Sequence, residues 1–300
     1  MSYINLVAGI LSVENLTKRY KNVLAVDNVS FEIEEGICFG LLGPNGAGKT
    51  TTVEMMEGIL NPSSGRTLFR GEPIGAHFYE RVGIQFQSTA LQEFITVVET
   101  LKMFSSLYEV NRDLAEIVEI CDLRDILNQD NRKLSGGQRQ RLLLGLALVN
   151  DPVVVFMDEP TTGLDPQARR NFWALVEKIK GEGKTILLTT HYMEEAEILC
   201  DEVAIMDHGR IIAWDTPAKL LNKNFDGVFV NLPWNEELEL PQGLSEDVSR
   251  KDDHIEIHSK DVGATLHSLI RKGVRLNGLS IHSPNLEDLF LQLTGTSLRQ

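Results

Sequence analysis

Cysteine is scarce in this 300-residue chain, which has only Cys38, Cys121 and Cys200, all far apart. An odd number of widely spaced cysteines provides neither a disulfide framework nor the close ligand spacing of a zinc site. Free thiols are typical of a reducing compartment. We therefore predict that all three cysteines are buried as small hydrophobic side chains.

Long hydrophobic runs are also missing. The longest uncharged apolar run, LLLGLALV, has eight residues, whereas a transmembrane helix needs about twenty. The first residues, MSYINLVAGILSVE, carry neither the basic start nor the small-residue cleavage site of a secretory signal. We therefore expect a cytoplasmic chain that has no membrane span of its own.

Positive charge is in deficit, and no basic run occurs. The chain has 29 Lys and Arg against 43 Asp and Glu, a formal net charge of -14. The electrostatic field of a chain with this negative net charge repels phosphate backbones, so we expect no nucleic-acid partner. The hydrophobic share of 42% is ordinary for a globular chain with a sizeable core.

The hydrophobic pattern predicts an α/β fold. Short apolar runs read as strands and are separated by stretches of helical periodicity, as expected for a mostly parallel sheet. From about residue 93 to residue 150 the pattern is helical throughout. From about residue 225 short strands alternate with helices, which indicates a second, small α+β domain. The predicted strands are LSVENLTKRY, VSFEIEE, ICFGLL, RTLFR, RVGIQFQ, VVVFM, TILLTT, EVAIMD, FDGVFVNL, HIEIHS and VRLNGLSIHS.

The stretch GPNGAGKT, residues 43 to 50, is a P-loop between a predicted buried strand and a predicted helix, the context that supports such a match. Its glycines let backbone N–H groups turn toward phosphate at a helix N-terminus. Lys49 is placed to reach the β- and γ-phosphates of ATP, and Thr50 to bind Mg²⁺. The predicted ATP-binding residues here are Gly43, Pro44, Asn45, Gly46, Ala47, Gly48, Lys49, Thr50 and Thr51.

A second acidic motif, VVVFMDEP, ends an apolar strand in Asp158 and Glu159. Next to a P-loop, a carboxylate at the end of a parallel strand can hold the metal through water, and its neighbour can polarise the attacking water. We assign Asp158 to the metal and Glu159 to the water. The alternative is a solvated acidic loop end.

A third motif, LSGGQRQRLLLGLALV, is also typical of a phosphate site, because Ser135, Gly136 and Gly137 open an apolar-rich helix. The chain already has one phosphate site in its P-loop. Two such sites in one chain need an explanation.

In their order and separation, the P-loop, LSGGQ and VVVFMDEP resemble the nucleotide-binding subunit of an ATP-binding-cassette (ABC) transporter. The similarity covers about Leu11 to Leu221 and implies a P-loop NTPase cassette with a mixed sheet core and a helical subdomain. It also implies a head-to-tail homodimer with ATP and Mg²⁺, in which the signature residues Ser135, Gly136, Gly137 and Gln138 contact the partner's nucleotide. We expect the cassette in residues 1–224, its helical subdomain at about 93–150, and the small domain in residues 225–300.

The resemblance carries over to two residues near the nucleotide. Tyr20 matches the aromatic that stacks on adenine, although it also fits an exposed tyrosine at a sheet edge. Gln87 matches the glutamine that senses Mg²⁺ and the attacking water. Since Gln85 is two residues away, that match depends on counting four residues from Gly83.

Two more residues match family positions after the VVVFMDEP strand. Asp165, in GLDP, matches an aspartate at the dimer interface, but Asp followed by Pro166 is also a preferred helix start. His191 follows the strand TILLTT and matches the histidine that contacts the γ-phosphate. Together with Glu159 and Gln87, it completes the expected catalytic set.

The tail SPNLEDLFLQLTGTSL resembles ATPase subunits of the exporter branch for drugs, antibiotics and similar amphiphiles, the ABC-2 type. This resemblance implies a separate integral-membrane permease. The permease would dock on the helical region between Gln87 and Ser135 and hold the chain at the inner face of the membrane. The expected function is ATP hydrolysis that powers export of drug-like, antibiotic or lipid-like amphiphiles. The alternative is a soluble ABC ATPase acting on ribosomes or nucleic acid, which usually has tandem cassettes, long coiled coils or basic arms.

Overall fold

The computed structural model describes residues 9–86, 89–234, 247–250 and 254–295. The chain divides into two compact units, one ending at Pro217 and the other running from Ala218 to Gly295. The sequence placed the domain boundary after residue 224 instead. The difference is one helix, Pro217–Asn224, which starts at the boundary.

The first unit contains two sheets. The strands of the first, antiparallel sheet are β1 (Leu11–Tyr20), β2 (Val23–Ile33), β4 (Ser64–Phe69) and β5 (Glu72–Pro73), in the order β2-β1-β4-β5. The strands of the second sheet are β3 (Cys38–Leu42), β6 (Val82–Gln85), β7 (Val154–Asp158), β8 (Thr185–Thr190), β9 (Glu202–Asp207) and β10 (Arg210–Asp215), in the order β10-β9-β3-β8-β7-β6. All neighbours in this sheet are parallel except β9 and β10.

The centre of the second sheet is buried on both faces. Every residue of β3, β7 and β8 is buried, which is why these strands read in the sequence as continuous apolar runs rather than as an alternation. Their carboxyl ends meet at one edge of the sheet. The P-loop, Glu159 and His191 follow these three strands and therefore come together there.

Helices connect and cover the sheets. The helices of this unit are α1 (Lys49–Met56), α2 (Ala76–Tyr79), α3 (Val97–Ser105), α4 (Leu114–Ile120), α5 (Gly136–Ala147), α6 (Pro166–Gly181) and α7 (Met193–Leu199), with short 3₁₀ helices at Arg124–Ile126 and Asn131–Lys133. Between β6 and β7 the described residues form helices and turns and no named strand. The predicted helical block within an α/β core is confirmed.

The second unit is α+β, as predicted. Its strands are β11 (Val228–Pro233), β12 (Asp247–Arg250), β13 (His254–Ser259) and β14 (Ser280–His282), all antiparallel in the order β12-β13-β11-β14. Its helices are α8 (Pro217–Asn224), α9 (Val262–Arg271) and α10 (Leu286–Thr294). Within the predicted strand VRLNGLSIHS only β14 is extended in the sheet, because Val274, Leu276 and Leu279 pack against the apolar core instead.

The cysteines are buried and free, as predicted. Burial raises the pKa of the Cys121 thiol to about 12, so this thiol is not a nucleophile at neutral pH. In the described parts of the chain, no helix is both long enough and apolar enough to cross a membrane.

Candidate active site

The P-loop turns sharply between β3 and α1, and two of its glycines are required by the backbone. Gly48, at the start of α1, has φ +104, and a Cβ there would lie 2.4 Å from the carbonyl oxygen of Ala25. A Cβ at Gly43 would lie 2.2 Å from the carbonyl oxygen of Met206. Both approaches are closer than any side chain allows, so only glycine lets the loop follow this path.

Lys49 lies at the base of the loop with only 4% of its surface exposed. Its Nζ donates to the carbonyl oxygens of Gly43, at 2.8 Å, and Pro44, at 3.2 Å. Nζ is also 3.9 Å from Oε1 of Glu159. Burial lowers the pKa of Lys49, while the charges of Glu159 and Asp158 oppose that shift. The ammonium group is therefore held in place by the loop and faces the acidic pair.

Asp158, the last residue of β7, is buried beside the loop. Burial, and then the neighbouring Glu159, raise the pKa of Asp158, whereas hydrogen bonds from the hydroxyls of Thr189 and Thr50 and the charge of Lys49 lower it. The Thr189 hydroxyl donates directly to Oδ1. The hydroxyl of Thr50 and the carboxylate of Asp158, both predicted to hold the metal, are therefore neighbours.

Glu159 has a left-handed backbone with φ +46, a conformation that costs a non-glycine residue on the order of 1–3 kcal/mol. Its N–H is shared by the carbonyl and hydroxyl oxygens of Thr189, each at 3.1 Å. Its Oε2 is 3.4 Å from Nδ1 of His191 and accepts from the Thr162 hydroxyl at 3.3 Å. The strained backbone thus points the carboxylate toward Lys49 and His191.

One cavity of about 660 Å³ brings Lys49, Glu159 and His191 together. Its walls come from the P-loop, from β2 and from the segments that follow β7 and β8, the place where open α/β sheets bind ligands. The residues that line it are Ala25, Asn45, Gly46, Gly48, Lys49, Thr50, Thr51, Glu159, Thr162 and His191. Most of the predicted ATP-binding residues thus share a single cavity with the predicted base and histidine.

The signature lies elsewhere in the chain. Ser135 is the N-cap of α5, and its hydroxyl accepts from Gln138 N–H at 3.3 Å, while Gln138 Oε1 accepts from Ser135 N–H at 2.9 Å. Ser135 and Gly136 are exposed. None of the four signature residues is among those that line the phosphate cavity. The two phosphate-type motifs therefore belong to separate surfaces of one chain.

Known proteins resemble the chain over nearly its whole length. The ABC transporter family model matches residues 26–162. Nod factor export ATP-binding protein I of Ralstonia nicotianae is 42% identical over 307 residues, which cover 97% of this chain and 95% of that protein. The chain belongs to the ABC transporter family. The protein of the same name from Cupriavidus metallidurans is 39% identical and covers 98% of this ABC subunit and 100% of its own length.

A solved structure agrees with this assignment. The cbiO1 protein of Clostridium perfringens, part of the ABC transporter complex cbiONQ, is 30% identical, with a TM-score of 0.66 over 72% of this chain and 92% of that chain. Our chain is thus an ATP-binding, ATP-hydrolysing ABC transporter subunit with the P-loop NTPase fold expected from its sequence, and ABC subunits of this kind work with a membrane permease. Transport is favoured over an action on ribosomes or nucleic acid.

Two other predicted residues of the ABC subunit, Tyr20 and Asp165, are not among those that line the phosphate cavity. Tyr20 ends β1, is 44% exposed and carries the Lys18 ammonium 5.3 Å from its ring centre. Asp165 is the N-cap of α6 and accepts from the N–H groups of Gln167 and Ala168 at 3.0 and 2.9 Å. Asp165 therefore does have the helix-starting role that its sequence allowed. Gln87 lies outside the described residues.

Gln85, the alternative to Gln87 for the glutamine that senses Mg²⁺ and water, is buried at the end of β6. Its Nε2 donates to Oε1 of Gln140 on α5 at 2.6 Å. This bond connects the core sheet to the signature helix. Gln85 is not among the residues that line the phosphate cavity.

Sequence reasoning missed several residues that belong to the site of the ABC subunit or interact with it. Thr189 hydrogen-bonds to both Asp158 and Glu159, and its position near the end of an apolar strand, two residues before His191, could have indicated this. Ala25 belongs to a strand distant in sequence and gives no signal. Glu57, just after α1, is buried, and its burial, together with the charges of Asp158 and Glu54, raises its pKa to about 8. The acid within the apolar stretch EMMEGIL could have indicated that Glu57 is buried.

Proposed function

We propose that this ABC subunit hydrolyses ATP in the 660 Å³ cavity with Glu159 as the base that orients and deprotonates the attacking water. One observation carries the proposal: Glu159 faces Lys49 on one side and His191 on the other within that cavity. Lys49 binds the β- and γ-phosphates, and His191 contacts the γ-phosphate. The attacking water then lies between the carboxylate and the phosphorus that it attacks.

The donor set at the edge of this cavity suits Mg²⁺. Thr50 supplies a hydroxyl next to the carboxylate of Asp158, and hard oxygen ligands are those that Mg²⁺ prefers. Among the described residues, no cluster of three or more His, Cys, Asp and Glu could hold a metal by itself, so phosphate and water oxygens would complete the shell, as is usual for Mg²⁺. Thr50 would bind it directly and Asp158 through water, and Gln87, which lies outside the described residues, is the third proposed ligand. Bound there, Mg²⁺ would neutralise charge on the phosphates.

Adenine recognition is assigned to Tyr20. Tyr20 is 44% exposed at the end of β1, which suits stacking on a purine. The ammonium of Lys18 already faces this ring. A tyrosine that only borders the sheet is the alternative.

A head-to-tail dimer would complete the site. Ser135 and Gly136 are exposed at the start of α5 and lie outside their own chain's phosphate cavity. A helix start with free N–H groups and a hydroxyl is suited to bind a γ-phosphate. We therefore assign the signature, with Gln138, to the ATP of a second copy, and Asp165 to the interface between the copies.

The permease is proposed to dock on the helical region. A groove of about 250 Å³ lies between the end of the core sheet and this region, with Phe86, Phe104, Tyr108 and Leu143 among its lining residues. Leu107, in the turn after α3, is 71% exposed. Such an apolar, aromatic-rich surface is typical of a protein interface. It fits an apolar cytoplasmic segment of a permease, which would hold this chain at the inner face of the membrane.

We further propose that the transported compounds are amphiphiles and that transport is outward. The relatives from Ralstonia and Cupriavidus are named for Nod factor export, and the C-terminal tail resembles subunits of drug and antibiotic exporters. The substrate touches the permease rather than this chain. From these resemblances, the proposed substrate class is drug-like, antibiotic or lipid-like amphiphiles.

Two substitutions test the site. Lys49→Ala should abolish both ATP binding and hydrolysis, whereas Glu159→Gln should keep binding and lose turnover by on the order of a hundredfold or more, because the amide cannot accept the proton. Nucleotide affinity and phosphate release are measured on the purified chain, with exposed Lys102→Ala as the control. Wild-type turnover in Glu159→Gln would reject Glu159 as the base.

A further inference from the structure

Glu195, on α7, is fully buried, with 0% of its surface exposed. Burial raises its pKa, and hydrogen bonds with Thr190, Trp173 and Thr161, together with the charge of Arg169, oppose that shift. Its Oε1 accepts from the Thr161 hydroxyl at 2.9 Å and from the Trp173 indole N–H at 2.8 Å. No ion pair of Glu195 occurs within the described residues of the chain. An apolar residue would fill this place without the cost of burying an acid.

Glu195 and its partner Thr161 belong to the two segments that carry the chemistry. Thr161 comes two residues after Glu159, and Glu195 itself comes four residues after His191. The Thr161 bond therefore joins the segment after β7 to the segment after β8. These segments have no covalent connection near the site.

Thr190, the last residue of β8, is a further hydrogen-bond partner of the carboxylate. Its hydroxyl accepts from Tyr192 N–H at 2.9 Å and lowers the pKa of Glu195. The second carboxylate oxygen, Oε2, has no hydrogen bond of ordinary geometry among the described residues. The bond through Oε1 to Thr161 thus adds a side-chain connection between the segments beyond the bonds from Glu159 N–H to Thr189.

We infer that Glu195 is a positioning residue for ATP hydrolysis, which holds Glu159 and His191 in register across the phosphate cavity. The two side chains approach to 3.4 Å. The backbone N–H of Glu159 is anchored to Thr189 of β8, and both residues follow the ends of their strands. A shift of about 1 Å in a reacting geometry can cost a hundredfold in rate. The inference rests on the roles proposed for Glu159 and His191.

The test compares Glu195→Ala with Glu195→Gln in the full-length chain. The amide oxygen of glutamine can still accept from Thr161 and Trp173, so Glu195→Gln should keep kcat within about threefold of the parent. Glu195→Ala should lose about tenfold or more in kcat while the KM for ATP changes by less than about twofold. Glu194→Ala, at the exposed neighbour on α7, is the control.

A second pair of variants answers the case in which Glu195→Ala does not fold. Thr161→Val removes the donor on the Glu159 segment, and Trp173→Phe removes the donor on α6. If Glu195 acts by positioning, Thr161→Val should lower kcat more than Trp173→Phe does. The comparison is made between variants that lose similar amounts of melting temperature. Equal effects on kcat, or a folded Glu195→Ala with the parent's kcat, would overturn the inference.

The outcome separates this inference from the proposed function. If Glu159→Gln abolishes turnover and folded Glu195→Ala does not reduce it, Glu159 remains the base and only the positioning role fails. If Glu159→Gln turns over like the parent, the base assignment itself is wrong. An unchanged pH profile in Glu195→Gln with a lowered kcat in Thr161→Val would support positioning through the hydrogen bond rather than through charge.

Discussion

At the scale of single residues, buried acids distinguish this cassette from a simple phosphate-binding loop. Asp158, Glu57 and Glu195 are all buried and all have raised pKa values, with burial the first cause in each case. Their partners differ. Asp158 and Glu195 accept hydroxyl or indole hydrogen bonds, whereas the pKa of Glu57 is raised further by the charges of Asp158 and Glu54.

Glu57 should therefore make stability depend on pH. Its pKa is about 8 in the folded chain and near 4.5 when unfolded, so the folded state binds the extra proton between these values. Its stabilising contribution is complete below about pH 4.5 and is lost as pH rises through about 8, by up to roughly 1.4 kcal/mol per pH unit. Glu57→Gln removes this loss. Its melting temperature should exceed the parent's at pH 8.5 and approach it at pH 5.

The matched control for Glu57 is Glu72→Gln, which changes an exposed acid in β5. It should shift the melting temperature equally little at both pH values. A Glu57→Gln difference that is the same at pH 5 and pH 8.5 would contradict the raised pKa, because an amide cannot titrate.

At the scale of elements, the start of α5 has two tasks that can be separated. Ser135 caps the helix through a reciprocal hydrogen-bond pair with Gln138, and it is also assigned to the partner's γ-phosphate. Asp caps a helix about as well as Ser does. Ser135→Asp therefore keeps the cap but places a carboxylate against phosphate.

We expect Ser135→Asp to bind ATP at its own P-loop and to melt within about 2 °C of the parent, since the cap is preserved. It should fail to form ATP-dependent dimers in a Glu159→Gln background, as measured by size-exclusion chromatography. The control, Asp113→Ser, makes the reverse exchange at the exposed N-cap of α4. Normal dimers of Ser135→Asp would mean that the signature does not contact a second nucleotide.

At the scale of the whole molecule, the sequence predicted what is local and missed what depends on tertiary contacts. The P-loop and the pair Asp158 and Glu159 could be predicted because each lies at the end of a buried strand. The bond from Thr161 to Glu195 joins residues 34 apart in the chain, and no spacing rule indicates it. Tyr20 and Asp165 stay predictions, since adenine stacking and dimer contacts need a nucleotide and a second copy.

In the assembled state, Glu159→Gln should trap a dimer of the chain. ATP held between one P-loop and the other signature bridges two chains, so a variant that binds but does not cleave it should accumulate as a dimer. Light scattering after size exclusion should give the mass of two chains with ATP and of one chain without it. Bound nucleotide should number two per dimer.

The double variant Lys49→Ala, Glu159→Gln is the control for that dimer. It has the same altered base but cannot grip the phosphates, because the only cation of the P-loop is removed. It should therefore stay monomeric with ATP. If Glu159→Gln also stays monomeric at every ATP concentration that saturates binding, nucleotide does not join the chains, and the two phosphate-type motifs of this sequence need a different explanation.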